Sequence, residues 1–206
     1  MYYFIGFIIS LWIYYNLCPI HHIIKHFFTH ILYSLIILYY FFPVILEILT
    51  NPIQKNMYIH ADYIPYNVFS FLTALHIYHK IYYNINYNEI YYYILSIYFQ
   101  IFPVNKFLVA SIFFTLGIAD GISYLMLIFV KYGYIRKSIE KKINLNIILW
   151  FKVLGILFSA SLLFVNIYKN NINKINNIYV LTHELIILFF MIYISIKIIK
   201  KSLFIS

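Results

Sequence analysis

FLVASIFFTLGIADGISYLMLIFV, residues 107–130, is an unbroken apolar run with a single charge, Asp120, near its middle. A helix needs about 20 mostly apolar residues to cross the hydrocarbon core of a bilayer. Lipid offers no partner to unpaired backbone groups, so such a run satisfies its N–H and C=O groups internally, as a helix. The stretch therefore reads as a transmembrane helix.

The same reading extends outward in both directions. Further apolar runs occupy 2–19, 22–46, 63–83, 90–104, 144–168 and 178–199. The run at 90–104 is short and ends at Pro103, which suits a tilted or re-entrant helix or one joined to its neighbour. Residues 47–62, EILTNPIQKNMYIHAD, are polar and interrupted by proline. The expected fold is an all-α polytopic transmembrane bundle of seven helices, or eight if 47–62 also crosses. No repeat, linker or shift in composition divides the chain, so 1–206 is expected to be a single transmembrane domain.

Composition agrees. Of the 206 residues, 64% are hydrophobic and only 10% charged, with a mean hydropathy of +0.84. Soluble domains are roughly half apolar and a quarter charged, which sets this chain outside their range. Ile, Asn, Lys and Tyr all have AT-rich codons, so Asn runs such as NNINKINN and the abundance of Tyr carry no functional weight.

The net charge of +9 does not point to nucleic acid, because the cations sit in short connections and at the C-terminal end. KYGYIRKSIEKK, residues 131–142, holds Lys131, Arg136, Lys137, Lys141 and Lys142, and the tail holds Lys197, Lys200 and Lys201. Two spans separate these clusters, so both are expected on one side, the cytosolic one by the positive-inside rule. An endomembrane resembling the endoplasmic reticulum is the expected location, and membrane lipid the expected partner. Cys18 is the only cysteine, which leaves no internal disulfide and no CxxC pair. The N-terminal MYYFIGFIISLWIYYNL lacks a basic leader and a small-residue cleavage site, and is expected to be a retained first helix. KKSLFIS shows no lipidation or retention signal.

Four of the eight histidines fall in HHIIKHFFTH, residues 21–30. His22, His26 and His30 share one helical face. Membrane di-iron oxygenases combine HxxxH with two HxxHH clusters. Here His22/His26 and His76/His79 supply two fragments, but Lys80 stands where the closing histidine belongs, and His60 and His183 are isolated. The fatty-acid elongase motif fails at the same place. No metal or cofactor is expected, and the decapeptide reads as an interfacial helix start.

Ionisable groups inside a membrane each cost about 2.5–3.5 kcal/mol on insertion scales and so call for a role. Asp120 lies between Gly117 and Gly121, a small-xxx-small spacing that admits a close neighbouring helix. It is either a buried acid facing the bundle, able to stay protonated and donate a proton, or a polar packing contact. His183 with Glu184 in YVLTHELII forms a second polar point, and Lys152 a third.

GILFSASLLFVNIY (155–168) followed by YVLTHELII (179–187) resembles the YhhN-type lysoplasmalogenase family, compact polytopic enzymes with about eight helices. The seventh helix of that family carries a Gly, Phe, Ser-Asp, Asn-x-Phe pattern and its last a Tyr-Tyr-x-Ala-Gln pattern. Ser159, Asn166 and Tyr168 fall at matching intervals here, as do Tyr179, Leu181 and Ile186. Lys25 in IIKHFF and His76 in FSFLTALHIYH are similar to upstream family motifs, and ISYLMLIFVKYG (122–133) lies where a sixth helix would. The departures fall on the chemistry. Ala160 replaces the second family aspartate, and Asp62, after Ala61, is the nearest candidate for the first. His26, His79 and His183 replace a proline, a tyrosine and a glutamine.

The resemblance implies hydrolysis, or simple binding, of the vinyl ether of an ether lysophospholipid. Such a reaction starts by protonating the alkene carbon, so it needs a protonated carboxyl and a second group to stabilise the oxocarbenium ion. On that reading Asp62 and Asp120 are the candidate acids. His76, His183 and Glu184 line a polar pocket, and Lys25 meets the phosphate. The alternatives are a non-catalytic scaffold or assembly subunit, as a homo-oligomer or within a membrane complex, and a small proton-coupled transporter. Against transport, no inverted repeat is visible.

Overall fold

The computed structural model describes residues 2–17, 22–53 and 105–170 together with Val68, Ser70, Phe71, Thr73, Ala74, Leu75, Phe189, Ile192, Tyr193 and Ile196. Most of the expected spans 63–83 and 178–199, and all of 90–104, lie outside these residues. No β-strand occurs among the described residues, and the fold is all-α. The chain divides into two compact units, Met1–His26 with Tyr58–Val104, and Phe27–Met57 with Asn105–Ser206.

In the first unit, α1 covers Tyr2–Leu17. Its polar side chains bond back to its own backbone. Ser10 donates to the Gly6 carbonyl at 2.9 Å and Asn16 to that of Trp12 at 2.8 Å, so neither exposes an unsatisfied group. Phe7 meets Phe71 edge to face at 5.0 Å. Leu11, Tyr15, Val68, Ala74 and Leu75 are buried.

The helix α2, His22–Thr50, begins in this unit and continues into the second. It runs four residues past the expected end of the span and carries Pro43 in its interior. Proline is tolerated within membrane helices, where neighbouring groups re-satisfy the freed carbonyl. The helix then closes with Thr50 Oγ1 on the Leu46 carbonyl at 2.9 Å and Asn51 N on that of Glu47 at 2.9 Å.

The second unit contains two further rods. One comprises α3 (Lys106–Ile112), a π-helical stretch π1 (Phe113–Ala119) and α4 (Asp120–Lys131). The other comprises α5 (Lys137–Ile147), a second π-helical stretch π2 (Ile148–Val153) and α6 (Leu154–Asn170). Asn105 starts α3 by accepting the Leu108 N–H at 2.8 Å on its side-chain oxygen, which satisfies one of the orphan donors of the first turn.

The turn between the rods is dictated locally. Gly133 takes φ +78°, Gly133 N–H bonds to the Val130 carbonyl at 3.1 Å, and Tyr134 N–H to that of Phe129 at 2.9 Å. These are the two bonds of a Schellman stop, and Phe129 packs on Tyr134 as the accompanying apolar contact, at 6.2 Å. The segment expected to be a loop over 131–142 is thus a short turn, and helix resumes at Lys137. Charge bars a segment from the hydrocarbon core but not from helix, since Lys and Glu are good helix formers.

The part of α2 in the second unit and the two rods alternate in direction. Along α2 and the second rod, Lys106 pairs with Glu47 at 2.5 Å, Gly117 meets Ile37 and Leu38, and Gly121 meets Ser34. At the far end, Tyr124 stacks on His30 at 4.0 Å. Residue numbers rise on one helix as they fall on the other, which is antiparallel packing. Glu47 near a helix C-terminus and Lys106 at a helix N-terminus are each on the wrong end for the helix dipole, and each neutralises the other.

Three apolar helices, Ile23–Thr50, Lys106–Lys131 and Lys137–Asn166, are long enough to cross a membrane. Side chains such as Trp150 and Phe164, both 67% exposed, would be a liability in water. In a bilayer they face acyl chains, and the protein is membrane-embedded.

Candidate functional site

The second unit places its ionisable centre where two irregular stretches of helix meet. Thr115 and Gly117 lie in π1, and the stretch closes with the Asp120 N–H reaching back five residues to the Thr115 carbonyl. Lys152 lies inside π2, which closes similarly with the Leu154 N–H on the Leu149 carbonyl. Such a wide turn inserts an extra residue and rotates everything beyond it, and π-bulges occur frequently at functional sites.

Lys152 Nζ forms a salt bridge with Asp120 Oδ1, joining the second rod to the third. Asp120 lies about midway along Lys106–Lys131 and Lys152 about midway along Lys137–Asn166, so the pair sits deep in both spans. Lys152 is buried, 7% exposed. The charge of Asp120 also acts on Tyr33, a buried phenol on α2.

Around this pair the polar groups reach between helices. Ser34 Oγ donates to the Leu116 carbonyl of π1 at 2.8 Å, covering a backbone acceptor of the irregular stretch. The single hydroxyl proton of Ser123 serves either the Ala119 carbonyl at 2.8 Å or Asn144 Oδ1 at 2.7 Å, the second linking α4 to α5. Asn166 spends both amide hydrogens, one on the Leu162 carbonyl at 2.8 Å and one on that of Pro52 at 2.7 Å. That second bond ties the end of α6 to the turn that follows α2.

The glycines permit these approaches. A Cβ on Gly121 would stand 2.9 Å from the Ser34 Cβ, and one on Gly117 3.0 Å from an Ile37 methyl. The close neighbour of the Gly117/Gly121 pair is therefore α2. Gly155 is tighter still, since a Cβ there would fall 2.4 Å from that of Phe114.

Of the other expected site residues, Lys25 alone is among the described residues. Lys25, in the first unit, is 2% exposed and its Nζ donates to the Tyr15 carbonyl at 2.7 Å. That carbonyl is one of the last four of α1, which lack helical partners, and a cation is favourable there. Asp62, His76, His183 and Glu184 lie outside the described residues. Ser159, matched to the family serine, is fully buried and bonds to the Gly155 carbonyl at 2.8 Å, while its neighbour Ala160 is half-buried. His26 is half-buried, and no three His, Cys, Asp or Glu side chains converge on a metal position among the described residues.

The class these features define is an all-α, membrane-embedded protein with an ion pair at mid-depth. No known protein family, curated protein or solved structure matches the chain.

Proposed function

We propose that this chain is a non-catalytic multi-pass membrane protein, a scaffold or assembly subunit whose intramembrane polar groups set the register of its helices. The full bundle has seven helices, or eight if residues 47–62 contribute a crossing, and it sits in an endomembrane resembling the endoplasmic reticulum with its C-terminus cytosolic. It works as a homo-oligomer or within a membrane complex. The observation that carries this reading is the salt bridge between Lys152 and Asp120. A carboxylate held by an ammonium is poorly placed to deliver a proton to carbon. The Ser34, Ser123 and Asn166 contacts likewise join one segment of the bundle to another.

A second reading has its own support. Both partners of the pair stand at π-helical stretches, the irregularity that most often accompanies a working site. On that reading the protein is lysoplasmalogenase-like. A protonated carboxyl transfers its proton to the alkene carbon of a vinyl ether, and a carboxylate stabilises the resulting oxocarbenium ion. Water then adds and returns a proton to the donor carboxylate, and the hemiacetal collapses to a fatty aldehyde and a glycerophosphodiester that carries no chain. Asp62 and Asp120 are the two acids, His76, His183 and Glu184 the polar pocket, and Lys25 the phosphate contact. Ala160, in place of a family aspartate, weighs against it.

One assay separates the two. Purified protein incubated with a lysoplasmalogen releases no aldehyde if the protein is a scaffold, and it co-purifies with a second membrane subunit or with itself. Aldehyde release that is lost in Asp120→Asn, with the yield of folded protein preserved, would overturn the scaffold reading in favour of the hydrolase.

A further inference from the structure

The turn between the second and third rods has a charge distribution that neither reading of the ion pair requires. Lys131, Arg136, Lys137 and Lys142 are exposed and Lys141 is half-buried, all within twelve residues at one end of two apolar helices. The one carboxylate in the segment, Glu140, is turned inward and is only 5% exposed. Four cations are therefore exposed, and the charges of Lys137 and Lys141 act on the buried Glu140, which leaves Lys131 and Arg136 as the cations of the turn itself. Tyr132 and Tyr134, 56% and 77% exposed, stand among them. Amphipathic rings of this kind settle at the headgroup level of a membrane.

The turn is also fixed in shape. The Schellman bonds from Gly133 and Tyr134, with Phe129 against Tyr134, hold the Lys131 end of α4 and the Arg136–Lys137 start of α5 in one geometry. A rigid cluster loses little conformational freedom on binding. Topology alone asks only for an excess of cations on one side of the membrane. It does not ask for the carboxylate to be buried or for two exposed tyrosines to stand in the same turn.

We propose that this turn is a binding site for the headgroup of an anionic phospholipid, with Lys131, Arg136 and Lys137 meeting the phosphate and Tyr132 and Tyr134 seated at the interface. Basic clusters next to membrane helices attract anionic lipid at about 1 kcal/mol per cation near the surface, roughly a fivefold gain each. The site is independent of the Asp120–Lys152 pair, which lies at mid-depth in the same rods.

The test uses the full chain reconstituted in vesicles of three parts phosphatidylcholine to one part phosphatidylserine. The protein is extracted in lipid-retaining discs and the bound lipid ratio is measured. Wild type retains phosphatidylserine above its bulk share, and added salt erodes the excess, as a surface ion pair requires. Lys131→Gln/Arg136→Gln/Lys137→Gln together return the retained phosphatidylserine to its bulk share. The charge-keeping Lys131→Arg/Arg136→Lys/Lys137→Arg and the remote Lys169→Gln retain it. Both leaflets carry phosphatidylserine, so a change of orientation leaves the reading intact. If the triple glutamine variant does not fold, single Arg136→Gln reports the same loss on a smaller scale. Retention at the bulk ratio in wild type, an excess that survives charge removal, or displacement by inorganic phosphate in place of lipid would each overturn the proposal.

Discussion

Lys152 and Asp120 meet across the interface of the second and third rods, deep in both, and each stands at a π-helical stretch. The relationship couples backbone irregularity to charge. A regular helix through either stretch would rotate one partner by about a residue, roughly 100° for a 3.6-residue turn, and separate them. Two ions in a low-dielectric interior are costly apart and tolerable together. The pair therefore reports on the packing of the whole second unit.

Gly155 is the most tightly packed glycine. Its Cβ position lies 2.4 Å from the Cβ of Phe114, and neither backbone can yield without moving a rod. Gly155→Ala should destabilise the protein by about 1–3 kcal/mol through overpacking. Gly6→Ala, where nothing lies within 4 Å, should leave stability unchanged or slightly raised. Denaturation in mixed micelles compares the two, and equal effects would contradict the packing described.

At Gly133 the constraint is conformational and not spatial. Nothing lies near its Cβ position, but φ is +78°. Gly133→Ala should cost about 1–2 kcal/mol, and Gly133→Asn less, because Asn enters the left-handed region more readily. The same denaturation measurement ranks them, and Ala equal to Gly would show that the Schellman turn is absent.

Ser34→Ala isolates a hydroxyl, because Ala keeps the Cβ that touches Gly121 and removes only the donor to the Leu116 carbonyl. A loss of about 0.6 kcal/mol is expected, the usual size of a hydrogen bond between membrane helices. A neutral result would mean that the freed carbonyl of π1 finds another donor.

Much of this architecture was legible in the sequence because lipid imposes simple length and polarity rules. The run at 107–130 became the Lys106–Lys131 rod, and the Gly117/Gly121 spacing marked the close approach that α2 fills. Charge misled at two places. Glu47 and the lysines of 137–142 suggested loops, yet both segments are helical, Glu47 because Lys106 neutralises it and the lysines because they lie at the end of a rod. The ion pair itself was only half visible. Asp120 and Lys152 each stood out as intramembrane charges, but their pairing depends on the register set by the Gly133 turn and on two π-helical stretches that break the regular period. No count of 3.6 residues per turn carries that information. The role expected of Lys25 rested on its nearness to an interface, whereas its partner, the Tyr15 carbonyl, is set by how α1 ends.

The most direct test of the account is a double-mutant cycle on Asp120 and Lys152, read as unfolding free energy in bicelles. Asp120→Asn should cost about 3–5 kcal/mol, since it strands the buried Lys152 ammonium, and Lys152→Met less, since the Asp120 carboxylate is half-buried, while the double variant should lose clearly less than the two singles combined. Strictly additive losses, or single variants as stable as wild type, would show that the two residues do not meet within the membrane.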